Sequence, residues 1–578
     1  MTKTPFKKEG SSEGQPSLSL EVLLYALVVL LAIWLRFVRL DLYPLTDREA
    51  EHALAASSSS EWIAGSNSPA HRALTSLAFT LGGESEAAAR WGPALAGVGL
   101  ILTPALLRRQ IGRGPAFLGA LLLAISPVVW TASRTADGTS LAALGITASA
   151  FLLVGGRIEW SAAFLGLALV SGPAALTGLT SIGAGAGVFS VLRRRRSNPG
   201  GTLAYPIPKS QAWLRGFAIV GLIALLVATG AGTFPDALRG FFEGLGSWVS
   251  GWFQSSGVAV ATLLVMLIAY EPLVSVAGSI GVVGKLRKGN ALEAFLASWA
   301  VGAVLVLILY RGRQPVDIVW TAIPLTLMAA LVISALLEKV FQRENVWLAL
   351  GFTGAVVALM AFAYLQLRAG VGGSESFQIF LGVPTHFAAA AMGIGLAALA
   401  LILLAVGWSG EVALPIAGAA AILVLLGAGI SSGAALNFGE PTARELYRPQ
   451  ASTLGLNALR ESLRTLSRAE TGQPHALPIE MRDHPSPALA WAIRDYPMFE
   501  GSGSPAIVIT REGAPLPGEY LGQSVTIGES WGWTGWLPPD LMSWLVIRET
   551  PTVPNRWVLL VRKDVAGVEE LLPVELEP

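Results

Sequence analysis

The feature that most constrains this chain is a succession of long apolar runs through its first three quarters. A membrane-spanning helix needs about 20 consecutive apolar residues. Only 14% of the 578 residues are charged, against about 25% in soluble proteins. We therefore predict a multi-spanning α-helical membrane protein with about 13 spans. The candidate spans are 20–40, 87–107, 114–132, 138–156, 158–172, 174–192, 213–233, 256–284, 291–310, 315–337, 345–367, 384–406 and 412–431.

The loops between these runs indicate how the chain is oriented. Cytoplasmic loops of membrane proteins carry an excess of Lys and Arg. With thirteen spans, the basic clusters all fall on one side: Lys3, Lys7 and Lys8, Arg108, Arg109 and Arg113, Arg193 to Arg196, Lys285, Arg287 and Lys288, and Lys339 with Arg343. We therefore expect residues 1–19 to be a disordered cytoplasmic tail of a cell-membrane protein, and the C-terminal region to be extracytoplasmic.

The composition changes abruptly near residue 434. The last part of the chain gains Pro, Arg, Glu and Asp and has no long apolar runs. Short apolar segments that look like strands alternate there with helical ones, such as 455–468. We predict a transmembrane domain over 20–433 with an outer loop at 41–86, followed by a small extracytoplasmic α/β domain over 434–578.

Composition also excludes several classes of function. The chain has no cysteine, which excludes disulfides, thiolate nucleophiles and cysteine metal sites. Its net charge is +1, so nothing global indicates a nucleic-acid partner. Nothing in the sequence indicates a cofactor, and the sequence neither indicates nor excludes a requirement for a divalent metal.

The best candidate for chemistry is the stretch 42–56, directly after the first apolar run. It carries Asp47, Glu49, Glu51 and His52 within six positions. Pro44 breaks the preceding helix, and Thr46 or Asp47 can cap a new one. One interpretation is ordinary capping with a solvated face. The others are a carboxylate acting as general base at the membrane surface and a metal site formed by Glu49 and His52.

Several motifs then occur in an order typical of one superfamily. The first outer loop opens with Pro44-Leu45 and an acidic pair. The segment 86–90, Glu-Ala-Ala-Ala-Arg, leads into the second span, and 125–137 contains Ser126-Pro127, Ser133-Arg134 and Asp137. The chain resembles the GT-C membrane glycosyltransferases, in particular the family of protein O-mannosyltransferases and lipid A aminoarabinose transferases. Tyr270-Glu271-Pro272-Leu273 resembles a subgroup associated with flippase activity.

The resemblance implies a GT-C fold and an activity. Such enzymes transfer a sugar, here a hexosyl or pentosyl group with inversion, from a polyprenyl-phosphate donor to an acceptor on the outer face of the membrane. The acceptor, a protein, a lipid or a glycan of the cell envelope, stays unknown. The acid of the family's first outer loop acts as base or orients the acceptor, a role that falls here to Asp47 or Glu49, with Asp137 as a further catalytic candidate.

The chain departs from the family pattern at two points. Family members usually have Asp-Glu directly before Ala, and the position expected for that Asp is Arg48. Asp47 is displaced by one residue, a rotation of about 100° on a helix. Asp137 follows Arg134 by three residues, without the second arginine that relatives often carry between them.

Arginines at the outer surface are the candidates for binding the donor phosphate, since a guanidinium binds two oxygens at once. They are Arg311, Arg313, Arg134 and Arg90. For each of them, interfacial anchoring is the alternative. Glu51, His52 and His71 are candidates for contacting the acceptor or lining the cavity.

Three functions fit these observations. The first is a lipid-linked-sugar glycosyltransferase, which the ordered motifs favour. The second is a transporter or flippase of lipid-linked sugars, for which we expect polar residues in mid-span and internal repeats. The third is a non-catalytic binding or scaffold protein of the same fold, which Arg48 favours. We predict the glycosyltransferase.

Overall fold

We describe the protein from a computed structural model. The residues that it describes are 20–57, 67–195, 210–233, 237–341, 346–373, 379–380, 383–501, 503–513 and 519–566. The predicted cytoplasmic tail, 1–19, lies outside them.

The described chain is mostly helical up to residue 438. Its helices are α1 (Leu20–Phe37), α2 (Asp47–Ala56), α3 (Pro69–Gly82), α4 (Glu86–Ile101), α5 (Thr103–Leu106), α6 (Arg108–Ile111), α7 (Arg113–Ile125), α8 (Pro127–Ser133), α9 (Thr139–Val154), α10 (Ile158–Leu169), α11 (Pro173–Arg195), α12 (Ser210–Ala228), α13 (Ala237–Ser250), α14 (Val260–Tyr270), α15 (Pro272–Lys288), α16 (Ala291–Leu309), α17 (Val319–Phe341), α18 (Val346–Val371), α19 (Thr385–Gly407) and α20 (Gly410–Phe438). A 3₁₀ turn, Pro315–Ile318, precedes α17, and β1 (Ile379–Phe380) pairs with β2 (Val383–Pro384).

Eight of the described helices are long and apolar enough to cross a membrane, and the number rises to ten if each bent helix pair counts as one span. The bent pairs are α7 with α8 and α14 with α15. These helices confirm the prediction of a multi-spanning membrane protein. The count of thirteen stays a prediction, because α9 and α10 are apolar but have only 16 and 12 residues.

Helix α17 lies at the centre of the bundle. Its most apolar stretch is 89% buried inside the protein, whereas that of α12 is only 11% buried. Among helices that are apolar all round, such a difference separates the centre of a bundle from its lipid-facing periphery. Small residues allow the closest helix contacts: a Cβ on Gly302 of α16 would lie 2.2 Å from the backbone nitrogen of Gly185 on α11. Close approach through small residues is typical of membrane helix packing.

The remaining elements follow α20, which continues past the predicted domain boundary at 433. They are β3 (Gln450–Ser452), α21 (Gly455–Thr471), β4 (Ile479–Met481), α22 (Pro487–Ile493), β5 (Ile507–Arg511), β6 (Tyr520–Trp531), α23 (Leu541–Ile547) and β7 (Thr552–Arg562). The strands form one sheet in the order β3-β6-β7-β5-β4, in which only β4 and β5 pair in parallel. The domain boundaries 20–433 and 434–578 stay a prediction.

The sheet and its helices, residues 450–562, are called the sheet region below, and they pack directly on α2. Leu45, Ala50 and Leu54 share one hydrophobic core with Trp491 of α22 and Ile507 of β5. Trp491 is fully buried and its ring stacks on Phe79 of α3, with 5.7 Å between the ring centroids. Burial of such aromatic surface stabilises the contact. The acidic helix α2 is thus held between the helical bundle and the sheet.

Candidate functional site

The acidic stretch begins a helix through its own side chains. Thr46 is the N-cap of α2: its hydroxyl accepts a hydrogen bond from the Glu49 backbone N–H, and its own N–H donates to Glu49 Oε2 at 3.0 Å. This reciprocal pair is a capping box, which satisfies two backbone N–H groups that a helix start leaves free. It turns Asp47 and Arg48 outward and Glu49 inward.

Glu49 is buried in an ion pair with Arg90 of α4. Arg90 Nε donates to Glu49 Oε1 at 2.8 Å, and Nη2 donates to Oε2 at 3.0 Å. The N–H of Ala136 also donates to Oε1, at 2.8 Å. Burial by itself raises the pKa of Glu49, but Arg90 and these hydrogen bonds outweigh it and lower the pKa to about 2. Both carboxylate oxygens are occupied, so Glu49 is a poor proton acceptor and a strong anchor.

Among the four arginines predicted to bind phosphate, Arg90 and Arg134 donate hydrogen bonds to backbone carbonyls at the end of α1 and in the turn that follows it. Arg90 donates to the carbonyls of Leu40, Tyr43 and Pro44 in addition to Glu49. Arg134 donates to four carbonyls at the end of α1, those of residues 35, 36, 38 and 39. A cation at a helix C-terminus satisfies its free carbonyls. Both arginines therefore fix the path of the chain from α1 into α2.

Asp137 lies in a different environment, just after α8. It is 2% exposed, and its Oδ1 accepts a hydrogen bond of 2.8 Å from the N–H of Thr139. Its Oδ2 lies 3.9 Å from Nη2 of Arg48, whose side chain is 46% exposed. Burial raises the pKa of Asp137, and the loose contact with Arg48 only partly opposes this shift. A buried carboxylate with a raised pKa is typical of a proton acceptor in a functional site.

The backbone at Asp137 is held tightly. A Cβ on Gly138 would lie 1.9 Å from the carbonyl oxygen of Ser171. Only glycine permits this approach. On the other side, the Ala136 N–H is fixed by Glu49. The locked ion pair and the close glycine contact together determine where the Asp137 carboxylate lies.

These groups meet at a cavity of about 220 Å³ between the bundle and the sheet region. Charged side chains of both signs line it. They are the carboxylates of Asp47, Glu49 and Asp137 and the guanidinium groups of Arg48, Arg90, Arg134 and Arg448. A cavity with an excess of arginine and a buried carboxylate suits an anionic substrate and a proton transfer.

Asp47 lines this cavity and also contacts the sheet region. Its Oδ1 accepts a hydrogen bond of 3.0 Å from the N–H of Ala488, at the start of α22. A carboxylate at a helix start is stabilising. Asp47 therefore has a structural role besides its position at the cavity, because it connects α2 to α22.

Two cavity arginines were absent from the predicted phosphate ligands. Arg448 donates through Nη2 to the Leu436 carbonyl and stacks over the Tyr43 ring at 4.8 Å. No carboxylate lies within ion-pair distance of it in the described part of the chain. In the sequence, Arg48 stands out only as a departure from a family motif. No sequence pattern marks Arg448, which reaches the cavity from beyond the last apolar helix.

The other predicted site residues lie away from the cavity lining. Arg313 donates to the carbonyls of Leu307, Val258 and Ile308, and Arg311 is exposed. Neither lines the cavity, although the next residue, Gln314, does. Their guanidinium groups fit the alternative of anchoring loop ends rather than that of contacting a substrate in the cavity.

Glu51, His52 and His71 do not line the cavity either. Glu51 is exposed, whereas His52 and His71 are buried side by side, with 5.5 Å between their ring centroids. Burial lowers the pKa of His71 to about 4, so its ring is neutral at pH 7. Within the described ranges, no group of three or more His, Asp or Glu side chains is arranged to hold a metal ion.

A comparison with protein families gives one match. The family model described as dolichyl-phosphate-mannose-protein mannosyltransferase matches residues 66–198. This range contains Arg90, Arg134 and Asp137, but α2 precedes it. No curated protein sequence matches the chain.

Solved structures give similarities over nearly the whole chain. ArnT from Cupriavidus metallidurans in the apo state is 17% identical, with a TM-score of 0.52, over 94% of this chain and 99% of that one. The same protein bound to undecaprenyl phosphate is 17% identical, with a TM-score of 0.50, over 84% of this chain and 93% of that one. At this identity the likeness shows the fold.

Proposed function

The chain is a membrane protein with the GT-C fold, as its motifs predicted, and from this premise we propose that it is a glycosyltransferase. It moves a hexosyl or pentosyl group from a polyprenyl-phosphate-linked donor to an acceptor. The observation that carries this proposal is the buried Asp137 carboxylate in a cavity lined by four arginines. The similarity of the fold to that of a protein bound to undecaprenyl phosphate supports the donor class.

The donor phosphate binds at Arg448 and Arg48 in this proposal. Arg448 pairs with no carboxylate among the described residues, and its side chain contacts the Leu436 carbonyl and the Tyr43 ring. Arg48 is half-exposed and only loosely paired. Both can therefore turn toward an anion without breaking a buried ion pair, which Arg90 cannot. Phosphate binding by two guanidinium groups supplies charge-assisted hydrogen bonds.

Asp137 is the general base. Its Oδ2 takes the proton from the acceptor hydroxyl or amine as that atom forms a bond to the anomeric carbon of the sugar. The bond between the anomeric carbon and the phosphate oxygen breaks, and its electron pair leaves on the polyprenyl phosphate. Attack from the side opposite the phosphate inverts the anomeric carbon. Arg48 and Arg448 stabilise the charge that develops on the leaving group.

The reaction takes place on the outer face of the cell membrane. The basic clusters of the sequence support a cytoplasmic N-terminus and a sheet region outside the cell. On this assignment the cavity opens at the level where α1 and α8 end, beneath the sheet region. The lipid tail of the donor then stays in the membrane while its phosphate reaches the arginines.

The ion pair of Arg48 with Asp137 also supports a second candidate, a protein that binds lipid-linked sugars without transferring them. A permanent pair would hold the base away from an acceptor, and Arg48 stands where related enzymes usually have an aspartate. The two candidates differ in whether the sugar leaves the donor.

The test is sugar release by the full chain in proteoliposomes supplied with a panel of radiolabelled undecaprenyl- and dolichyl-phosphate sugars. We expect release from at least one donor, to water or to an acceptor extracted from cell envelopes. Release from none, with retention of undecaprenyl phosphate by the same vesicles, would establish the binding protein in place of the transferase.

A further inference from the structure

A second cavity adjoins the first on the far side of Asp47. It has a volume of about 280 Å³ and lies between α2, the start of α22 and strands β6 and β7. Thr46, Asp47 and three residues of β3 line both cavities: Gln450, Ala451 and Ser452. The two cavities are therefore adjacent and share the wall that Asp47 and β3 form.

The charges of the two cavities differ. The first contains four arginines, whereas the described residues of the second include two carboxylates, Asp47 and Glu529, and no Lys, Arg or His. An anionic group is attracted to the first cavity and repelled from the second. The second cavity is thus unsuited to the donor phosphate.

The second cavity instead has a dense set of neutral hydrogen-bonding groups. Ser486, Ser530, Asn555 and Gln450 contribute hydroxyl and amide groups to its lining. Hydroxyls and amides both donate and accept, as the hydroxyls of a sugar do. Few large apolar side chains contribute, so a hydrocarbon chain would find little surface to cover.

One polar atom at this cavity has no partner. Oε2 of Glu529 is buried and makes no hydrogen bond within the part of the chain that the structure describes. Buried carboxylate oxygens are normally satisfied, and leaving one without a donor costs free energy. Glu529 lines the cavity, so a ligand with O–H donors bound there lies beside a carboxylate whose hydrogen bonding is incomplete.

We propose that this second cavity, lined by Glu529, Ser530 and Asn555, is the acceptor subsite and that it binds an uncharged, polyhydroxylated glycan. The proposal rests on the proposed transferase. A glycan bound there extends past Asp47 and presents one hydroxyl to Asp137. The acceptor is thereby separated from the donor by charge, and anionic glycans and lipids are excluded from it.

The experiment measures binding of the fluorescently labelled full chain, in lipid nanodiscs, to a printed array of neutral, amine-bearing and anionic oligosaccharides and of short peptides. We expect retention on neutral oligosaccharides. Glu529→Gln should weaken it about tenfold, the effect of one charge-assisted hydrogen bond. Asn555→Trp, at an exposed position on β7, should block the cavity and abolish retention without requiring a repacked core.

The matched control is Glu512→Gln, which removes a half-exposed carboxylate of the same sheet region outside the cavity. It should leave retention unchanged. The proposal would be overturned if the protein were retained only on peptides, only on anionic glycans or only on amine-bearing glycans, or on none of the probes. Equal binding of neutral glycans by all variants would also overturn it. Glycan binding without sugar release from any donor would count against the transferase alone.

Discussion

Two arginine–carboxylate pairs lie at the same cavity and differ in almost every physical respect. Glu49 and Arg90 are both buried, two nitrogen–oxygen contacts of 2.8 and 3.0 Å join them, and each has further backbone partners. Asp137 and Arg48 meet only at 3.9 Å, and the arginine is half-exposed. The first pair fixes structure because neither charge can leave. The second pair constrains its carboxylate only loosely.

The largest expected effect comes from removing the loose carboxylate. Asp137→Asn keeps the oxygen that accepts from Thr139 but cannot take a proton, so sugar transfer should fall by roughly 100- to 10,000-fold. The midpoint of thermal unfolding should not fall, because the buried charge disappears with its desolvation cost. Single-turnover transfer in proteoliposomes measures the rate.

Asp41→Asn is the control for this variant, since Asp41 is an exposed carboxylate near the end of α1. It should transfer at the wild-type rate. If Asp137→Asn retained wild-type transfer, Asp47 would be the next candidate for the base.

The next effect tests the locked pair. Glu49→Gln leaves the Arg90 charge buried without its partner, and breaking such a pair costs about 3–5 kcal/mol of the free energy of unfolding. Thermal unfolding followed by circular dichroism or intrinsic tryptophan fluorescence should show a large fall in midpoint. The double variant Glu49→Gln, Arg90→Met should recover part of it, because no unpaired charge remains.

If Glu49→Gln unfolded at the same temperature as the wild type but had lost sugar transfer, the structural role that we assign to the Glu49–Arg90 pair would be wrong. Glu49 would then act in the reaction rather than in holding α2 and the backbone of Ala136.

A smaller effect is expected at Arg448, which pairs with no carboxylate among the described residues. Arg448→Gln removes the charge that we assign to the donor phosphate, so the KM for the donor should rise about tenfold. Arg444→Gln is the control, since Arg444 is exposed on the same segment and does not line the cavity. If the KM for the donor were unchanged in Arg448→Gln but raised in Arg313→Gln, the phosphate would bind at Arg313, as the sequence predicted, and not at Arg448.

The sequence predicted that Glu49, Arg90 and Asp137 belong to the site, but it did not predict which arginine pairs with which carboxylate. Apolar runs predicted the spans, and the motif order predicted the GT-C fold. The stretch 42–56 drew attention to α2, since Pro44 and Thr46 act through local rules of helix capping. These features depend on neighbours in the chain, which the sequence shows directly.

The pairing depends instead on contacts between distant parts of the chain. Whether Glu49 or Asp137 is locked depends on the rotation of α2 relative to α4 and α8, and Arg448 arrives from hundreds of residues away. The prediction for Arg311 and Arg313 rested on their location at a loop, but nearby carbonyls take up the guanidinium group of Arg313. Local patterns contain no information about such partners.

The most direct test of the central claim is the pH dependence of transfer by wild type and by Arg48→Gln. The base is active as a carboxylate, so the rate falls as the pH decreases through its pKa. Burial places this fall above the ordinary aspartate pKa of about 3.9. Arg48 favours the charged form, so its removal should move the fall to higher pH. A fall at the same pH in both proteins would show that Asp137 is not the base.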